Sequence, residues 1–155
     1  MSTPSERLAE LGLTLPAVAA PQAAYVPAVR TGDYIYVSGQ LPFVDGNLQA
    51  VGKVGDAVSA EEAAALARLC ALNGLAAAAS VAGAGGLDAI TRIVKVTGFV
   101  ASVPSFTGQP GVINGASELL IEVFGEAGRH ARSAVGLAAL PLDSPVEVEL
   151  IAEVG

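Results

Sequence analysis

The chain of 155 residues has one cysteine, one histidine, one methionine and no tryptophan. A lone Cys70 excludes an internal disulfide framework and suits a reducing compartment. A single histidine, His130, with no acidic or cysteine cluster beside it in sequence, argues against a metal site and reads as a loop or interface residue. Cations are scarce. Two lysines and six arginines stand against 15 acidic residues, for a net charge of −7, and they are scattered rather than clustered. No run of phosphates could be neutralised by such a distribution, so nucleic acid is excluded as an expected partner. The longest apolar stretch, 75–87, is short and broken by glycines, which argues against a membrane span. The N-terminus lacks a basic segment followed by an apolar core, and the expected location is the cytoplasm.

Charge as a whole is sparse. Charged residues make up 15% of the chain, well below the roughly one quarter usual for soluble proteins. A domain of this size covers itself poorly with so few charges, so self-association is expected. The length fits one compact domain with a substantial core.

What is present reads as an alternation of strands and helices. Ser5 to Leu13 predicts a short helix stopped by Pro16, and 16–21 reads as a proline and alanine linker. Tyr25 to Val29 and Tyr34 to Gln40 read as a hairpin around Thr31-Gly32-Asp33. In its second arm Ile35 and Val37 share one face, while Tyr34, Tyr36 and Ser38 share the other. Phe43 to Val58 is loop-rich, with a turn at Asp45-Gly46-Asn47. Ser59-Ala60-Glu61-Glu62 is a capping-box sequence that opens a helix to about Ala82, closed by Gly83-Ala84-Gly85-Gly86. Ile90 to Val100 predicts a strand, Gly111 to Gly125 a helix, and Ala131 to Ala138 and Val146 to Val154 two more strands. The order β-β-α-β-α-β-β predicts an α+β domain with two helices on one face of a mixed sheet.

One residue stands out against this background. Arg132 is the only charge between Ala131 and Leu142, in a strand whose composition predicts burial. A buried guanidinium needs a carboxylate, either internal or from a ligand. Glu147 and Glu149 on the last strand are the internal candidates, and the charge-assisted fork of arginine suits a bound carboxylate equally well. Neither glutamate is distinguished by sequence from a residue on a solvated face. Cys70 reads as a small core residue, and the glycines at 83, 85 and 86 as a helix stop rather than a phosphate cradle.

Several segments together form a pattern. Tyr25 is followed by Ser38-Gly39-Gln40-Leu41-Pro42 and then by Asn114 ahead of a helical run. Ala131-Arg132-Ser133-Ala134-Val135, Leu140-Pro141 and Val146-Glu147-Val148-Glu149 complete the series. In order and spacing this resembles the RidA family, also called YjgF and endoribonuclease L-PSP, over 23–155, with 1–22 as an N-terminal extension. The resemblance implies a chorismate-mutase-like fold and a homotrimer with intersubunit clefts. It also implies a cofactor-free deaminase that hydrolyses 2-aminoacrylate-type enamines and imines to 2-oxo acids and ammonia. On this chain Arg132 would bind the substrate carboxylate and Glu147 would position or activate water. Tyr25, Ser38, Gly39, Asn114 and Ala134 would line the pocket, with no metal. Members of the family commonly carry cysteine where this chain has Ala134, and Gly-Pro where it has Ala23-Ala24, which marks a divergent branch. The alternative from another class is a catalytically idle trimer that binds or senses small carboxylate metabolites. The ribonuclease label carried by the family receives no support from the charge distribution.

Overall fold

In the computed structural model, which describes residues 1–21 and 23–155, strands β1 (Ala28–Thr31) and β2 (Tyr34–Gln40) lead into a small hairpin, β3 (Phe43–Val44) and β4 (Asn47–Leu48). Helix α2 (Ala60–Ser80), strand β5 (Ile90–Ala101) and helix α3 (Gln109–Phe124) follow, and β6 (Ala131–Leu137) and β7 (Val146–Val154) end the chain. A short helix α1 (Pro4–Glu10) precedes them all. The main sheet has the order β1-β2-β7-β5-β6. Only β5 and β6 run parallel in it; the other neighbours are antiparallel. A parallel pair needs a long crossover, and α3 supplies it. The α+β architecture expected from sequence is therefore present, with α2 and α3 packed together on one face of a mixed sheet.

Periodicity explains which side chains point where. Along β7 burial alternates strictly: Val146, Val148, Leu150, Ala152 and Val154 are buried, and Glu147, Glu149, Ile151 and Glu153 are not. In β2, Ile35 and Val37 are buried while Tyr34 and Tyr36 are exposed. The helix-facing core contains Ile35, Leu75, Ile93, Ile113, Leu119 and Leu120, all fully buried. Each such side chain stabilises the fold by about 1.5–3 kcal/mol. Helix α2 is apolar nearly all round because it lies against both the sheet and α3. It is long and apolar enough to cross a membrane, yet it is a core helix, and its reach exceeds the 75–87 stretch identified from sequence. The two helices approach closely at Gly115, where an added Cβ would strike the Ala64 carbonyl.

Several local expectations are corrected. The complete capping box belongs to α1: Thr3 accepts from the Glu6 amide, and Glu6 accepts from the Thr3 amide. Pro4 occupies the first helical turn, where its missing N–H has no cost, so the helix starts and ends earlier than the leucine spacing suggests. At α2, Ser59 accepts from the Glu62 amide at 3.1 Å, but Glu62 meets the serine hydroxyl instead of closing the box on its amide. Strand β1 begins at Ala28, leaving Tyr25 in the preceding turn segment. The Asp45-Gly46-Asn47 turn is real and joins β3 to β4, with positive φ at Asp45 and Gly46. Ser5 ties α1 to the domain through its amide and hydroxyl on the Asp88 carboxylate, at 2.8 and 2.6 Å. Gln22, the last residue of the expected extension, lies outside the described residues.

The largest difference concerns β6. Its residues alternate between exposed and half-buried instead of being buried. The cause is topological: β6 is the sheet's edge and pairs only with β5. The face away from the helices is also uncovered, and Val29, Tyr34, Tyr36 and Val135 are exposed on it.

Candidate active site

Two groups of polar side chains stand apart from the core, and the strand register separates them. Arg132 pairs across β5 with Val96, which pairs in turn with Leu150. Val96 and Leu150 are buried under the helices, so Arg132 projects from the helix side of the sheet, at its edge. Glu147 sits at the opposite parity of β7 and projects from the open side. The internal salt bridges considered for Arg132 are thus ruled out by geometry, since Glu149 shares the face of Glu147. Cys70 is fully buried, as its helix position predicts, and burial raises its thiol pKa well above the usual range.

Around Arg132 the helix α3 supplies neutral oxygens. Nη1 donates to Asn114 Oδ1 at 2.8 Å and to Ser117 Oγ at 3.2 Å, and Nη2 donates to the Pro110 carbonyl at 3.4 Å. Asn114 and Ser117 are three residues apart, so one face of α3 presents both to the strand. Among the described residues no carboxylate pairs with Arg132, and its charge is solvated by dipoles alone. A shallow depression of about 200 Å³ lies beside it, lined by Ser117, Ile121, Arg129 and His130. The ring of His130 bonds to Ser117 Oγ at 2.8 Å through Nε2 and to the Gly128 carbonyl at 2.6 Å through Nδ1. Burial lowers the His130 pKa, the Gly128 bond opposes that, and the Arg132 charge lowers it further. Ala134 lies on the same side of β6 as Arg132, opposite Gly98 and packed against the edge of the core.

The second group surrounds Glu147. A cavity of about 270 Å³ is lined by Tyr25, Gly39, Phe43, Pro141 and Glu147, with 19–21 at its rim. The Glu147 carboxylate lies directly over Gly39, in space that a Cβ would occupy. Burial first, and then the like charge of Glu149, push the Glu147 pKa above the ordinary glutamate value. Among the described residues Glu147 forms no ion pair. Ser38 lies in an adjoining hollow of about 330 Å³ on the open face, with Lys95, Thr97 and Glu149. Its hydroxyl donates to the Val26 carbonyl at 2.7 Å, which orders the turn leading to β1.

The sequence-derived site residues therefore fall into two half-sites. Arg132, Asn114 and Ala134 form one; Tyr25, Gly39 and Glu147 form the other, with Ser38 nearby. One chain does not bring Arg132 to Glu147. Sequence reasoning did not connect Ser117 and His130 to Arg132. The signals available were the three-residue spacing from Asn114 and the two-residue spacing from Arg132. Among the described residues no group of three histidine, cysteine, aspartate or glutamate side chains is placed to hold a metal ion.

A mixed sheet backed by two helices, with an uncompensated arginine at one edge and a half-buried glutamate on the open face, defines an α+β domain of the chorismate-mutase-like class. Across residues 5–154 the chain matches the family described as "YjgF/chorismate mutase-like, putative endoribonuclease", and it belongs to that family. Protein TCP17 of Trypanosoma cruzi is 47% identical over 147 residues, covering 94% of this chain and 91% of the relative. The crystal structure of a "putative endoribonuclease" from Shewanella oneidensis superposes with a TM-score of 0.93 at 37% identity, covering 99% of this chain and 100% of that one. E. coli TdcF, solved with bound serine, superposes with a TM-score of 0.64 at 27% identity, covering 92% and 96% respectively.

Proposed function

We propose that the protein is a deaminase of reactive imines and enamines derived from amino acids, working at clefts between the subunits of a homotrimer. The observation that carries this reading is Arg132, whose guanidinium is held by neutral oxygens and pairs with no carboxylate among the described residues. Such a group suits a ligand carboxylate, bound bidentately in a fixed orientation. Glu147, uncompensated and pushed up in pKa, suits the exchange of a proton with water. The serine bound to the related TdcF carries the same α-carboxylate next to an α-nitrogen.

In this scheme an enamine is first protonated at C3 to give the 2-imino acid. Its carboxylate lies on Arg132 of one subunit, and the partner subunit's Glu147 takes a proton from water. The water oxygen adds to C2 of the iminium that C3 protonation leaves, and the C=N π electrons become the lone pair of a neutral amine. Glu147 passes its proton to that nitrogen and takes the hydroxyl proton as the C=O bond forms and the C–N bond breaks; a 2-oxo acid and ammonia leave, and the proton on Glu147 departs to solvent. An imine is already electrophilic, so orientation and one proton relay suffice without a protein nucleophile or cofactor. Tyr25 would cover the substrate and Ser38 and Gly39 would shape the floor.

The trimer is part of the same proposal, because the two half-sites point to opposite sides of the sheet. Supporting it is the uncovered face carrying Val29, Tyr34, Tyr36 and Val135 in a chain of low charge. The cytoplasm, where pyridoxal-phosphate enzymes shed such imines, is the proposed location. The test is to generate 2-iminopropionate or 2-iminobutyrate in situ and follow 2-oxo acid release. Accelerated release that is lost in Arg132→Ala supports the proposal. Release at the uncatalysed rate with every imino acid tried, alongside tight binding of pyruvate, would leave the binding or sensing role in its place.

A further inference from the structure

The hydrogen-bond chain that ends on Arg132 has a defined direction. A carbonyl only accepts, so His130 Nδ1, 2.6 Å from the Gly128 oxygen, carries a proton. In the neutral ring Nε2 is then an acceptor, and the Ser117 hydroxyl 2.8 Å away donates to it. With its proton committed to the ring, Ser117 Oγ has its lone pairs for Arg132 Nη1 at 3.2 Å. A helical serine without such an acceptor turns its hydroxyl to the carbonyl one turn back, an orientation that competes with this one. Gly128 can present its carbonyl here because it packs under α3, where an added Cβ would meet the Leu120 carbonyl.

The surroundings keep the ring in the neutral form that this direction requires. Burial and the Arg132 charge hold His130 below the usual histidine range, against the opposing Gly128 bond. Helix α3 presents Ser117 and Ile121 to the same depression, neither of them titratable. The turn before β6 presents Arg129, whose Nε is paired with Glu126 Oε2 at 3.1 Å. The Glu126 carboxylate is committed to Arg129, and the one charge that acts on the imidazole is that of Arg132, which disfavours its charged form.

Resting on the deaminase reading, we propose that His130, acting through Ser117, is a positioning residue that holds the Arg132 guanidinium in the orientation that receives a substrate carboxylate. Asn114 Oδ1 and the Pro110 carbonyl hold one donor each of Nη1 and Nη2, which leaves Nε and a second Nη2 donor for a ligand; of the three partners, Ser117 is the one whose acceptor direction depends on another side chain.

The full chain labelled with 15N tests this, and its single histidine makes the ring signals unambiguous. The expected result is a neutral ring protonated at Nδ1, with slowed rotation of the Arg132 guanidinium. That guanidinium is assigned by the loss of its signals in Arg132→Lys. Ser117→Ala and His130→Leu should both release the rotation. Both should raise KM for the imino acid about 3–10-fold, as expected for one hydrogen bond, with kcat within about twofold. His130→Gln, whose side-chain oxygen can still accept from Ser117, should restore both readouts. A ring protonated at Nε2, or a guanidinium equally ordered in Ser117→Ala and His130→Leu, overturns the proposal. If the wild type hydrolyses no imine while the NMR results hold, the deaminase reading fails and the positioning role stands.

Discussion

The carboxylate of Glu147 rests over the Cα of Gly39, filling the place where any other residue would carry its side chain. Glycine at this position is what lets the carboxyl group come this close to β2, in the cavity that Tyr25 also lines.

Gly39→Ala is expected to displace that carboxylate while leaving the fold intact, because the side-chain end can swing aside. Imine hydrolysis should fall by about 10–100-fold, the scale of an ångström-sized misplacement. The midpoint of urea unfolding should hardly change, as for substitutions that leave the core untouched. Kinetics and denaturation on the same sample check both halves. Unchanged turnover would mean that Glu147 is not placed by Gly39.

Arg132→Lys keeps the charge and removes the planar fork. A lost charge-assisted hydrogen bond is worth about 1.5–3 kcal/mol, so kcat/KM for imino acids should fall by about 10–150-fold. Substrate analogues lacking the carboxylate should be affected little. Steady-state kinetics on both compounds makes the comparison.

The acid limb of the pH profile should belong to Glu147. A base must be ionised to act, so kcat/KM should rise as pH passes through its pKa, which burial and Glu149 have moved up. Glu149→Gln removes the like charge, so the limb should move to lower pH while the plateau is kept. A limb that stays in place, or moves to higher pH, contradicts the assignment.

Gly115→Ala tests the contact between the two helices. The new methyl group meets the Ala64 carbonyl, and relief requires α2 and α3 to separate. A destabilisation of about 1–3 kcal/mol is expected, read as a lower urea midpoint with an unchanged slope.

The main elements were legible because their patterns are local. Strict alternation marks β7 and β2, a cap and an apolar run mark α2, and β-branched content marks β5. The exposure of β6 was not legible, since its composition says only that it is apolar, and its edge position follows from a parallel pairing made through α3. Arg132 and Glu147 were identified from motif, but their opposite faces emerge only from the register across β6, β5 and β7. Ser117 and His130 are thirteen residues apart and meet only because α3 docks beside β6. The full capping box at Thr3 went unread because it lies ahead of the leucine spacing that marks the helix, with Pro4 in its first turn.

With its two half-sites on opposite faces of one sheet, a chain in a ring of three would give its arginine to one neighbour and its glutamate to the other. Damage would then be shared unevenly. Arg132→Ala and Glu147→Gln proteins, each inert alone, should regain activity when unfolded and refolded together. Every mixed ring would contain one cleft built from the intact half of each. Recovered turnover would approach a third of the wild-type level in such rings. Two genes with different lesions could therefore complement one another within a single assembly.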